Sequence, residues 1–217
     1  MLDVTILTLA FVLLIGLLYA AKKESVAGTL MTKPLLSLLF IAVVLIVPQA
    51  NPKYFCFILA GLIFCMLGDV FLIFVNSKKL FMAGLASFLV GHIFYGIAFF
   101  TTASPGVLTL VVAVIIITVS SIIFLKLRPY LGKMTIPVFA YVVIITIMVI
   151  GAATLMGDKQ LDFTGRSVAF CGAVLFYCSD MFVARQRFIR KDFINRLIGL
   201  PLYYVGQFMI AYSVGLL

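Results

Sequence analysis

The chain has 217 residues, 65% of them hydrophobic and 11% charged, with a net charge of +9, and its mean hydropathy is +1.30. Those values exclude a soluble globular domain and define an integral membrane protein. The basic excess does not point to nucleic acid, because the Lys and Arg residues sit in short turns between apolar runs, where membrane topology accounts for them.

A helix that crosses the hydrocarbon core needs about 20 apolar residues. Division at charges, prolines and glycines gives eight predicted spans in one all-α domain over residues 1–217: 2–21, 34–50, 54–76, 80–101, 105–126, 133–156, 163–184 and 193–216. The expected fold is a polytopic bundle of eight transmembrane helices. The first run has no basic residue before it and no small-residue cleavage site after it, so it reads as a retained helix and not a signal peptide. Thr32-Lys33-Pro34 reads as the N-cap, basic residue and helix-opening proline of the second span. Such a start is either a phosphate seat or a site for a topology-setting lysine. Small residues at helical spacing mark contact faces: Gly61, Cys65 and Gly68 on the third span, Gly84, Ser87 and Gly91 on the fourth, Gly165, Gly172 and Ser179 on the seventh. Cys56, Cys65, Cys171 and Cys178 read as buried small residues, and Pro137 and Pro201 as candidate helix breaks.

The turns after spans one, three, five and seven carry 13 of the 16 Lys and Arg residues. The positive-inside rule makes that side cytoplasmic and puts both termini on the other. A bacterial inner membrane is the expected location, with the endoplasmic reticulum as the alternative.

Of the seven acids, Asp3, Glu24, Asp158, Asp162 and Asp192 fall at span ends or in turns, and only Asp69 and Asp180 lie inside spans. Each of the two is expected about 6–10 Å inward from the basic end of its helix. An aspartate at the helix centre costs about 2.5–3.5 kcal/mol on insertion scales and less toward the ends, so neither is expected to face lipid. Either alone reads as a structural acid; two at one depth point to a shared cavity. The segment MLGDVF at 66–71 echoes YCSDMF at 177–182, with the two aspartates 111 residues apart, as a parallel repeat about an axis along the membrane normal would give. His92 and Tyr95 share one helix face, as do Tyr203 and Gln207 beside Tyr204, which makes a polar wall. A single histidine cannot supply a three-His zinc site, and HExxH, GxSxG, P-loop and GxGxxG motifs are missing. Any chemistry is therefore expected to run on carboxylates, with no metal and no other cofactor.

Taken in order, Lys33-Pro34, Gly68-Asp69, Gly91-His92 with Tyr95, Ser179-Asp180, and Pro201-Leu202-Tyr203-Tyr204 with Gln207 resemble the YhhN family of membrane lysoplasmalogenases over nearly the whole chain. The resemblance implies a hydrolase that splits the vinyl ether bond of lysoplasmalogens into a fatty aldehyde and a glycerophospho-ethanolamine or glycerophospho-choline. Such a reaction needs one protonated acid and one carboxylate, and Asp69 and Asp180 are the expected pair, their order left open. Lys33 is expected near the phosphate, and His92, Tyr95, Tyr203, Tyr204 and Gln207 near water or the glycerol hydroxyl. The partners implied are a lysophospholipid and the bilayer, without nucleic acid; oligomeric state stays open. The rival readings are a proton-coupled small-molecule or lipid transporter and a non-catalytic lipid-binding scaffold.

Overall fold

Among the described residues eight long helices form: α1 (Leu2–Lys22), α2 (Val26–Ile46), α3 (Pro52–Ile73), α4 (Lys78–Thr102), α5 (Val107–Leu127), α6 (Thr135–Gly157), α7 (Phe163–Ala184) and α8 (Phe193–Ser213). They are seen in a computed structural model that describes residues 2–74 and 77–217; the predicted last residues of the third span, 75 and 76, lie outside the described residues. Seven of the eight are long and apolar enough to cross a membrane. The eighth equals them in length but carries Asn195, Arg196, Tyr203, Tyr204 and Gln207, which lower its hydropathy and mark it as the helix that brings polar groups into the bundle.

Polar side chains fix most of the starts by satisfying amide groups that a helix leaves unpaired. Ser25 accepts from the Gly28 amide, Asn51 from Tyr54, Ser77 from Leu80, Asp162 from Gly165 and Asp192 from Ile194. The Gly165 amide holds the Asp162 carboxyl below the usual carboxylate range. The predicted start of α2 at Thr32-Lys33-Pro34 is corrected: Ser25 is the cap, the helix runs from Val26, and Pro34 lies inside it. A proline there forfeits one hydrogen bond, to the carbonyl of residue 30, and the permissive residues before it still propagate a helix from a good cap. Pro137 falls in the first turn of α6 and Pro201 lies within an unbroken α8, so neither is a helix break.

Consecutive helices pack as neighbours, with α1 on α2, α2 on α3 and α3 on α4, then α5 on α6, α6 on α7 and α7 on α8. Contacts of α4 with α6, and of α8 with α2, α1 and α3, join the halves. Advancing every helix number by four maps the neighbours within one half onto those within the other and α4–α6 onto α8–α2, in keeping with the echo around Asp69 and Asp180, whereas the contacts of α8 with α1 and α3 have no counterpart of similar extent. The closest approaches obey the same register. A Cβ on Gly61 would meet the Tyr95 ring, and a Cβ on Gly172 would lie 2.9 Å from the Gly206 carbonyl, each residue of the second pair standing 111 positions after its counterpart. The small-residue faces expected at Gly61, Cys65 and Gly68, and at Gly84 and Gly91, do meet across α3 and α4.

At α7–α8 the two backbones touch, since a Cβ on Gly206 would stand 2.8 Å from the Gly172 carbonyl oxygen. Backbone cannot yield as a flexible side chain can. Gly206→Ala is therefore expected to destabilise the protein by about 1–3 kcal/mol, read as a lower midpoint of thermal unfolding in detergent; an unchanged midpoint would contradict this packing.

Large apolar side chains cover the outer surface, among them Val107 and Ile136, each 80% exposed, far more than water tolerates in one patch and what lipid requires. Cys56 and Cys171 belong to that outer surface, while Cys65 is buried and Cys178 intermediate. The expectation that all four are buried is thus corrected for two of them: in lipid a thiol on the outside meets no less apolar a solvent than one on the inside.

Candidate functional site

Asp69 lies four residues before the end of α3 and Asp180 four before the end of α7, about 6 Å along each axis. Both line one cavity of about 480 Å³. The cavity draws on α3 only from Asp69 onward, on α4 only as far as Phe88 and on α8 only as far as Tyr203. Its lining is thus confined to the basic half of the bundle.

The two acids have unlike surroundings. Asp69 is 1% exposed, and each of its oxygens is occupied. Lys33 Nζ lies 3.0 Å from Oδ1 and 3.3 Å from the Asp69 carbonyl. Tyr203 Oη donates to Oδ2 at 2.7 Å, and Ser37 Oγ to the same atom at 2.6 Å. Lys33 is 8% exposed, so this is a buried ion pair, which persists only where hydrogen bonds complete it. Ser37 stands one turn beyond Lys33 on α2, which aims both at α3.

A line of hydrogen bonds runs into this pair from deeper in the bundle. Tyr95 Oη donates to Gln207 Oε1 at 2.7 Å, Gln207 Nε2 donates to Tyr203 Oη at 3.2 Å, and Tyr203 Oη in turn donates to Asp69 Oδ2. Tyr204 Oη donates to the Lys33 carbonyl at 3.4 Å. Of the residues expected at the site, Lys33, Asp69, Asp180 and Tyr203 line the cavity. Tyr95, Tyr204 and Gln207 are buried behind it and hold its wall.

Asp180 is half-buried and is held at one point, Oδ2, by the Tyr141 hydroxyl of α6 at 2.5 Å. Among the described residues no Lys or Arg nitrogen comes within ion-pair distance of it. Its second oxygen is left to the cavity. His92 does not reach that space. It lines a separate apolar groove of about 320 Å³ between α4 and α6, its ring set edge-on to Phe176, Tyr141 and Tyr95. Neither of its ring nitrogens has a well-formed hydrogen bond among the described residues.

Sequence reasoning missed Tyr141 and Ser37, both in direct contact with an acid. It also missed a second polar knot, where Ser120 Oγ lies 2.7 Å from Thr146 Oγ1 and 2.8 Å from Tyr177 Oη; Ser120 and Tyr177 line the cavity. The signal available for Ser37 was its position one turn after Lys33. Tyr141 gave none, being one tyrosine in a largely apolar run.

The model of the YhhN family matches residues 28–214. A lysoplasmalogenase homolog of Dictyostelium discoideum is 28% identical over 205 residues, covering 78% of this chain and 66% of that protein. Human lysoplasmalogenase TMEM86A is 31% identical over 158 residues, 72% of this chain and 64% of its own length, and rat lysoplasmalogenase TMEM86B is 32% identical over 161 residues, with 73% and 62% covered. The chain thus spans just under two thirds of the length of these curated relatives. No solved structure matches it significantly.

Proposed function

Because the chain belongs to the YhhN family, we propose that it is a membrane hydrolase that cleaves the vinyl ether bond of a lysoplasmalogen, releasing a fatty aldehyde and a glycerophospho-ethanolamine or glycerophospho-choline. The observation that carries this reading is a single cavity whose two intramembrane acids have opposite electrostatic settings, Asp69 paired with a lysine and Asp180 with no Lys or Arg nitrogen of the described residues within ion-pair distance.

That asymmetry divides the chemistry between them. Asp180 is the proton donor: Tyr141 holds Oδ2, and Oδ1 carries the proton to the β-carbon of the vinyl ether. The π pair forms the new C–H bond, and positive charge develops on the α-carbon and the ether oxygen. Asp69, fixed as a carboxylate by Lys33, Ser37 and Tyr203, supplies the negative field for that cation. Water then adds to the α-carbon and gives its proton to Asp180, which restores the acid, and the hemiacetal collapses to aldehyde and alcohol. One water is consumed. The division of labour parallels that of the two carboxyls in glycoside hydrolysis. Tyr95 and Gln207 act through Tyr203 and are positioning residues.

The confinement of the cavity to one half of the bundle favours a hydrolase over a carrier, which needs access from both faces. The setting we propose is a bacterial inner membrane, with the basic end of the bundle cytoplasmic and both termini on the other side.

Aldehyde release by the purified protein tests the reading. A 1-alkenyl-glycerophosphocholine is expected to yield aldehyde, and its saturated-ether counterpart none. Failure to release aldehyde from monodisperse protein would discard the hydrolase reading in favour of proton-coupled uptake, measured in liposomes.

A further inference from the structure

Lys33, the residue expected from sequence to hold a phosphate, is committed to Asp69. The cavity nonetheless has other cations at its mouth: Arg187, Lys191 and Arg196 line it, together with one carboxylate, Glu24. Among the described residues none of the three is within ion-pair distance of an acid, since the ion pairs present are Lys33–Asp69 and Arg190–Asp192. Lys22, Lys23, Lys78, Lys79, Lys126 and Lys133, at the same end of the bundle, are exposed and do not line the cavity. Topology alone accounts for those six. It does not account for two half-buried arginines turned into a membrane cavity.

Both arginines are fixed in place. A single π-helical turn, Arg185–Ile189, follows α7, a geometry that recurs at functional sites, and it brings the Arg187 guanidinium over the Phe81 ring at 4.4 Å. Arg196 Nη1 donates to the Ala21 carbonyl at 3.1 Å, which leaves its other donors free. The turn between them is stitched by Asn195, 2% exposed: it accepts from Arg185 Nη1 at 3.1 Å and donates to Gln186 Oε1 and to the Arg190 carbonyl, each at 2.9 Å. The segment therefore presents its guanidinium groups in a preset arrangement, the form in which arginine binds phosphate best.

We propose that Arg187 and Arg196, with Lys191 at the rim, bind the phosphate of a single-chain phospholipid at the cavity mouth, an inference that rests on the lysophospholipid reading above. The spacing fits that occupant. Arg187 is seven residues beyond Asp180, about 10 Å along the helix, and a long side chain shortens the gap to the reach of a glycerol backbone, which separates the phosphate from the vinyl ether. The chain of the lipid continues along the apolar lining of Leu85, Phe88 and Ile145.

Binding of two saturated-ether probes with the same chain tests this without turnover: 1-O-alkyl-glycerophosphocholine, and 1-O-alkylglycerol, which lacks the phosphate. Wild type is expected to prefer the phosphorylated probe. Arg187→Gln and Arg196→Gln are each expected to weaken that probe about 10- to 100-fold and to leave the alkylglycerol unchanged, which also shows that the variants are folded. Lys79→Gln is expected to change neither. Equal affinity of wild type for the two probes, or arginine variants that bind the phosphorylated probe normally, would overturn the seat. Chain-free glycerophosphocholine that displaces the probe at equal concentration would move the source to a soluble phosphate and overturn the lipid assignment. If the phosphate preference and its loss in the variants hold while no aldehyde is released from the vinyl ether, the hydrolase reading fails and the seat stands.

Discussion

Asp180→Asn is expected to lower kcat for a vinyl ether lysophospholipid by about 10²–10⁴-fold, the usual contribution of a general acid, with KM little changed. The substitution is nearly isosteric. The amide oxygen still accepts from Tyr141, so the contact that holds the side chain at 2.5 Å survives in kind, and only the transferable proton is lost. Tyr141→Phe is the companion measurement. It removes the donor and keeps the acid, so a smaller loss in kcat and an altered pH profile are expected, without the collapse seen for the amide. An Asp180→Asn protein that is folded and retains more than a tenth of wild-type turnover would remove Asp180 from the chemistry and with it the division of labour argued above.

Lys33→Met is the variant expected to harm the fold most. It leaves the Asp69 carboxylate buried at 1% exposure with two hydroxyl donors and no countercharge. Breaking a buried pair from one side typically costs about 3–5 kcal/mol, while replacing both partners is often close to neutral. Asp69→Asn alone leaves the ammonium uncompensated and is expected to lose a similar amount. The double variant Lys33→Met/Asp69→Asn should then recover most of the stability, seen as a thermal midpoint in detergent above that of either single variant, and should stay inactive because the carboxylate is gone. Additive losses in the double variant would show that the two side chains do not act as a pair. Turnover by the double variant would show that Asp69 has no part in the reaction.

The helices were legible in the sequence because a membrane span is written in length and apolarity, and the two acids because lipid makes an unexplained carboxylate conspicuous. What escaped was pairing. Lys33 lies inside a helix and not at its start, since a serine cap at Ser25, eight residues before it, outweighed the proline beside it, and nothing in the order of residues tells that a lysine on α2 meets an acid on α3. Tyr141 escaped for a related reason: its hydroxyl matters only through a partner on the next helix. His92, the residue most conspicuous by type, packs among aromatic rings outside the cavity, since an imidazole in a bundle is also an aromatic filler. In the sequence Arg187 is open to the same two readings as Lys33, a phosphate seat or a topology charge, and Arg196 reads as a topology charge; the π-helical turn and the Ala21 carbonyl are what hold their guanidinium groups in place.

The neighbour pattern of α1 to α4 repeated in α5 to α8 carries a constraint on chemistry. Two identical four-helix subunits around such an axis would give both acids the same surroundings, and with them the same affinity for a proton, so neither would be committed to donating or to standing charged. Joining the halves in one polypeptide lifts that degeneracy. One half could acquire a lysine against its aspartate and the other a tyrosine, each without imposing the change on its counterpart. A single polypeptide thus lets the two carboxyls keep unlike partners, which the proposed division of labour requires and a symmetric pair of subunits would deny.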